Sequence, residues 1–368
     1  MTEVASLSSK NDQSAESKTA RGRLMAQLLA GAWRASELPP GTSDEEFSEI
    51  APLLLRSGAG ALVWWRIRDS SLGATSSAEQ FQHDYRFHAL QAALHERALK
   101  RIIKLLRGCG VEPVLVKGWS VARHYPETGL RQYSDFDLCV LPAHFEAAKT
   151  ALKSIENDGH NVDLHQGFGK FFDTRTDDVF GRSQLVSFGE LEVRVLSEED
   201  HLRFLCLHWL RHGAVRPLWL CDIAVMLEKR SSDFDWERCL GSSRQQANWV
   251  TCAVGLAHEL LGAQIEETPI AGRKLPRWLV PAVLKEWGTQ FRPMSPLALY
   301  LRQPLRRLKE LSGELSHHWP NPIEATMTLN GPFNELPRLP FQVGHVFSRT
   351  AALVAQLARG SGPVDLRS

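Results

Sequence analysis

The sequence predicts an α+β fold, a small mixed sheet set between two helical regions. Three observations carry this. Apolar residues recur at helical spacing up to about residue 108, shift to short strand-like runs from Glu112 to about Leu196, and return to helical spacing from Ser197. Gly and Pro cut the middle stretch into brief segments, and strands cluster there instead of alternating along the whole chain. At 368 residues the chain is also long enough to bury a sizeable core. The expected division is a disordered tail over 1–20, a helical region over 21–108, a catalytic core over 109–196 and a second helical region over 197–368.

The elements follow in order. The first twenty residues are rich in Ser, Lys, Glu, Gln and Asn, with no apolar run of the kind a signal peptide carries. Leu24, Leu28, Leu29 and Trp33 give Arg21 to Ser36 helical periodicity. Ser43-Asp44-Glu45-Glu46 reads as a capping box that opens a helix ending near Gly58. A third, strongly apolar helix is expected from Ala61 to Arg68. The long helix from about Ser77 to Leu106 carries Phe87, Leu90, Ala93, Leu94, Ala98, Ile102 and Leu105 as its apolar stripe, with Gly108 and Gly110 beyond its end.

Pro113 to Val116 then reads as a strand, and so does Asp135 to Leu141. Pro142 opens a helix toward Glu156, which Asn157-Asp158-Gly159 stops. A strand is expected over Asn161 to His165. Gln184 to Ser187 and Leu191 to Leu196 read as a hairpin turned at Gly189. Ser197-Glu198-Glu199-Asp200 caps a helical stretch that continues to about Leu261. Prolines break the chain from Glu266 to Pro340, a stretch to which the sequence assigns neither elements nor a role, and a last helix is expected over Val343 to Leu357.

Charge narrows the partners. Lys and Arg total 43 against 42 Asp and Glu, so no net field draws a long nucleic acid, and a small molecule or peptide is the more natural acceptor. The six cysteines are scattered with no Cys-x-x-Cys pair, and no apolar run reaches the length of a membrane span. Reduced thiols and a cytoplasmic setting are expected.

Chemistry concentrates in two short segments. Asp135 and Asp137 lie two apart on a strand and so emerge on one face, where two carboxylates repel unless a cation sits between them. Mg²⁺ takes such oxygen ligands. Just upstream, Lys117-Gly118-Trp119-Ser120 follows a strand; Gly118 lets the backbone approach a bulky anion, and Lys117 and Ser120 offer a charge and a hydroxyl. Arg131 adds a second cation and Ser134 a second hydroxyl. A metal site beside a phosphate cradle points to phosphoryl or nucleotidyl transfer.

At these residues the chain resembles the uncharacterised nucleotidyltransferase family of the DNA polymerase β-like superfamily. The resemblance rests on Lys117-Gly118, Tyr125-Pro126, Arg131 and Ser134-Asp135-Phe136-Asp137. It continues at Val162-Asp163-Leu164-His165, at Val195 to Asp200, at Leu207-His208 through His212-Gly213, and at Trp219 to Ile223. It covers about Arg101 to Leu261, and the span from Gly118 to Asp135 is longer than in the compact superfamily pattern. It implies a polymerase β-like core and Mg²⁺-dependent transfer of a nucleoside monophosphate from an NTP, ATP first, with pyrophosphate leaving. The acceptor would be a hydroxyl or phosphate on a small molecule or peptide.

Asp135, Asp137 and Asp163 would hold two metals, with Asp163 as base toward the acceptor and Glu192 its competitor. Lys117, Gly118, Ser120, Arg131 and Ser134 would meet the nucleotide. Two other readings stand beside this one. The fold could serve as an inactive nucleotide-binding or interaction module. Alternatively His208 and His212, four apart on a helix, could form a zinc hydrolase site, although no third ligand stands near them and packing suits them better. Most tryptophans lie among Leu and Val as core residues, with Trp119 placed to line a nucleotide pocket.

Overall fold

The structure is a computed structural model that describes residues 2–34, 41–155, 161–289 and 319–358. Four helices lead in: α1 (Thr2–Leu29), α2 (Asp44–Arg56), α3 (Gly60–Ile67) and α4 (Ala78–Gly108). The sheet segment follows as β1 (Val114–Leu115), α5 (Trp119–Ala122), β2 (Asp135–Val140), α6 (Phe145–Lys153), β3 (Asn161–Gln166), α7 (Thr176–Gly181), β4 (Gln184–Phe188) and β5 (Leu191–Val195). Seven helices follow among the described residues: α8 (Glu198–Arg211), α9 (Pro217–Glu228), α10 (Trp236–Leu240), α11 (Arg244–Leu261), α12 (Leu279–Trp287), α13 (Pro322–Thr328) and α14 (Leu339–Ala358).

The five strands lie in the order β3-β2-β1-β5-β4. Pairing is mixed: β1 runs antiparallel to β2 and parallel to β5, β2 runs parallel to β3, and β4 and β5 form the antiparallel hairpin. Gly189 turns that hairpin at φ 62°, which a residue with a Cβ rarely adopts. The expected first strand shrinks to Val114–Leu115.

Alternation gives the sheet two faces. Leu115, Phe136, Leu138, Val140, Val193 and Val195 pack on Ala98, Leu99, Ile102, Ile103 and Leu106 of α4 and on Ala148 of α6. The opposite face carries Val114, Val116 and Cys139 against Phe168, Val179 and Phe204. Asp137 shares this second face by parity and lies at its polar end. A separate, larger core joins α1, α2 and α3 to α8, α9, α11 and α12, so the helices before and after the sheet share one interior.

Sequence expectations hold at the helix starts. Ser43 Oγ accepts from the Glu46 N–H at 3.2 Å while Glu46 accepts from the Ser43 N–H at 2.9 Å, the reciprocal box that opens α2. Ser197 Oγ likewise accepts from the Asp200 N–H at the start of α8.

Two expectations are corrected. The polar segment expected as a tail is helical from Thr2, since no Gly or Pro interrupts residues 2–21 and α1 continues onto α12. In α4, Phe87, Leu90 and Leu94 are exposed at 48, 63 and 49%, and Ala93 is exposed with them. Only the later turns of that helix lie over the sheet, so the stripe is buried from Ala98 onward. The stop at Asn157-Asp158-Gly159 and the part of the proline-rich stretch over 290–318 lie outside the described residues.

Candidate functional site

Register sets the site. In the parallel pair β2/β3, Asp137 lies directly across from Asp163, and Cys139 across from His165. All four side chains therefore emerge on one face. β1 delivers Lys117 alongside, since the Val116 N–H donates to the Asp137 carbonyl at 3.3 Å. Gly118 then turns the chain at φ 60° into α5, where a Cβ would meet the Tyr133 ring and the Asp135 carbonyl at 3.4–3.5 Å.

Asp137 is buried at 4% exposure, and Lys117 and His165 converge on it. Lys117 Nζ lies 2.6 Å from its Oδ1. His165 Nε2 lies 3.6 Å from the same oxygen and 3.1 Å from Asp163 Oδ2. Burial pushes the Asp137 carboxyl up, but His165 and Lys117 outweigh it and hold the group below the ordinary carboxylate range. Asp135 goes the other way: burial and the neighbouring Asp137 charge raise it despite Lys117 and Arg131. The neighbouring carboxylates of Asp137 and Asp163 raise His165 to about 9.

These groups fit a metal. One ligand atom each from Asp137, Asp163 and His165 lies within 4.8 Å of the others, and Asp137 Oδ1 accepts no well-directed hydrogen bond despite its burial. Two hard oxygens and an imidazole suit a divalent cation. Asp135 stands outside this group of three. Glu192 shares their face by parity but sits on β5, about four residues, or roughly 13 Å, down the strand from the Asp137 row.

The expected phosphate contacts divide. Lys117 is at the site, and Ser134 is exposed beside Asp135. Ser120 is fully buried; its hydroxyl donates to the Lys117 carbonyl at 3.0 Å and lies 3.3 Å from His201 Nε2. Arg131 is buried against Asp222 of α9, to which Nη2 donates at 2.8 Å and Nε at 3.2 Å, while Nη1 donates to the Gln132 carbonyl. The Tyr125 hydroxyl donates to the same carboxylate at 2.9 Å. Burial pulls the Arg131 guanidinium down, yet Asp222 outweighs it and the net shift is upward. Arg131 thus ties the segment entering β2 to α9, and its donors are taken.

The matched family covers this ground. A family model described as an uncharacterised nucleotidyltransferase matches residues 43–262. The chain belongs to this family. The match opens at Ser43, the cap of α2, and closes at Gly262, which ends α11 at φ 68°. This nucleotidyltransferase is accordingly a transferase of phosphorus-containing groups, and its small mixed sheet with flanking helices fits a polymerase β-like core. No curated protein and no solved structure matches the chain.

Sequence reading gave His165 no role, although it stands two residues after Asp163 and a strand must bring the two to one face. His208 and His212 are close, with ring centroids 4.5 Å apart, but among the described residues they join no group of three metal-binding side chains. Trp119 packs tilted on Phe188 at 4.4 Å, inside the core over the other face of the sheet. Among the described residues no helix is long and apolar enough to cross a membrane.

Proposed function

We propose that this nucleotidyltransferase moves an NMP group from an NTP, ATP first, to a hydroxyl or phosphate of a small-molecule or peptide acceptor. One observation carries the reading: Asp137 and Asp163 stand side by side across β2/β3, with Asp135 on the same face and Lys117 at the edge. Asp135, Asp137 and Asp163 are the residues assigned to two Mg²⁺ ions, with His165 adding a nitrogen to the Asp137–Asp163 end. A divalent cation held there supplies charge neutralisation for the triphosphate and the departing pyrophosphate.

The chain's own groups would do the rest. Lys117 leaves Asp137 for a phosphate oxygen once the nucleotide arrives, with Gly118 and Ser134 flanking it. In the transfer, the acceptor oxygen bonds to the α-phosphorus and the bond from that phosphorus to the pyrophosphate oxygen breaks. The hydroxyl proton passes to Asp163, whose side chain is about half exposed at 52% and so open to an acceptor from solvent. The net charge of +1 supports a small acceptor over a long nucleic acid, and six cysteines with no disulfide support a cytoplasmic setting.

Thermal unfolding with each NTP plus Mg²⁺ or Mn²⁺ tests this without knowledge of the acceptor. The expected result is a metal-dependent stabilisation that Asp135→Asn/Asp137→Asn removes. No shift with any nucleotide would rule the reading out.

A further inference from the structure

Motif residues that the carboxylate site does not use form a second surface beside it. Phe204 of α8 packs with Cys139 on the face that carries Asp137. One turn on, the His208 ring stacks on Phe204 at 5.9 Å and 7°. His208 in turn lies 4.5 Å from His212, 4.7 Å from Trp219 and 6.2 Å from Phe171, measured between ring centroids. Trp219 and Phe171 are half-buried and His212 is exposed. Burial, and after it the charges of Lys117, His212, Arg131 and His165, lower the His208 imidazole well below its ordinary value.

We propose that Trp219, His212 and Phe171, backed by His208, are the stacking surface for the base of the donor nucleotide. The assignment rests on the nucleotide reading above and extends it to a subsite on α8 and α9. A base brings a flat π face and a polar edge. The wall offers the matching chemistry. Its rings already hold flat cations, with the Arg216 guanidinium 4.9 Å from Trp219 and that of Arg211 4.7 Å from Phe171. It also contains a buried nitrogen, His208 Nε2, that has no hydrogen-bond partner among the described residues, an orphan that a polar ligand edge can satisfy. Stacking on such a wall tolerates every base, because each has a π face. The subsite therefore favours large bases over small ones and does not select one by its edge alone.

The test separates base from phosphate. Binding of the full chain to each NTP and to inorganic tripolyphosphate is measured by calorimetry with Mn²⁺ present. Wild type should bind NTPs more tightly than tripolyphosphate, purines most tightly. Trp219→Ala should weaken NTP binding on the order of tenfold and leave tripolyphosphate unchanged. Trp219→Phe should keep most of the NTP affinity, and His212→Ala, at an exposed ring, should show the Trp219→Ala pattern in a milder form. Unchanged tripolyphosphate binding also shows that each variant is folded. Equal binding of NTP and tripolyphosphate by wild type overturns the stacking surface, and so does an equal loss for both ligands in Trp219→Ala and His212→Ala. If wild type binds neither ligand, the nucleotide reading fails and the surface fails with it.

Discussion

Arg131 with Asp222 and Lys117 with Asp137 are both buried ion pairs, and only the first is closed. Asp222 accepts from two nitrogens of the Arg131 fork and from the Tyr125 hydroxyl, and both partners are almost fully shielded. Lys117 meets Asp137 through one nitrogen at 2.6 Å, and its side chain keeps 15% exposure. A guanidinium has a rigid fork that locks into a carboxylate, whereas an ammonium is a point charge on a flexible stem. The closed pair is scaffold. The open pair has the freedom to exchange partners that the proposed phosphate contact of Lys117 requires.

The largest expected effect breaks the closed pair. Arg131→Met leaves the Asp222 charge buried without its partner, and removing one partner of such a pair costs about 3–5 kcal/mol. Urea unfolding measures this, and a loss below about 1 kcal/mol would place Arg131 with Lys117 instead. Next comes ligand binding at the open pair. A nucleotide with Mn²⁺ at a hundred times its Kd adds about 2.7 kcal/mol to wild type, and Asp137→Asn should abolish that gain while costing less than Arg131→Met without ligand.

Lys117 sharpens the contrast further. Its ammonium competes with a cation for Asp137 Oδ1, so Lys117→Met should bind Mn²⁺ alone roughly tenfold more tightly, about 1.4 kcal/mol, in electron paramagnetic resonance titrations. Unchanged affinity would mean that the lysine does not hold the metal's place.

The smallest effect is a pH response between the two pairs. Burial lowers His201, beneath Ser120, to about 3, whereas an imidazole in the unfolded chain titrates at about 6.5. The unfolded chain therefore takes up the proton first. The stability that His201 contributes is present above pH 6.5 and falls as pH drops, by about 1 kcal/mol between 6.5 and 5.5. Urea midpoints at both values measure the slope, and His201→Asn should remove that share of it, leaving the part due to the buried His124 and His208.

What the sequence disclosed follows from range. The face shared by Asp135 and Asp137 depends on strand period alone, and the α2 and α8 caps and the Gly189 turn are equally local, so all were legible. Asp163 needed a register, and the family pattern supplied it. The partner of Arg131 was not legible because it lies 91 residues away, and a cation's charge says nothing about which anion it faces. The burial of Ser120 was not legible for a related reason: it depends on α8 lying over the turn, which no local pattern encodes. The exposed stripe of Phe87, Leu90 and Leu94 in α4 shows the same limit, since periodicity marks an apolar face but not how far its cover extends.

Around all of this runs a clasp. The family match spans α2 to α11, while α1 and α12 lie outside it and pack against each other. A Cβ at Gly22 would collide with the Leu284 carbonyl, and the Arg21 Nε donates to the Gly288 carbonyl at 3.1 Å across 267 positions. The contact therefore closes over the whole matched region, and α1 keeps its full cover only when the chain on both sides of that region is present. Loss of the segment beyond Gly262 would leave the strands of the sheet in place but strip α1 of α12, uncovering part of Leu24, Met25 and Leu28, an apolar face of the kind that chaperones and proteases recognise.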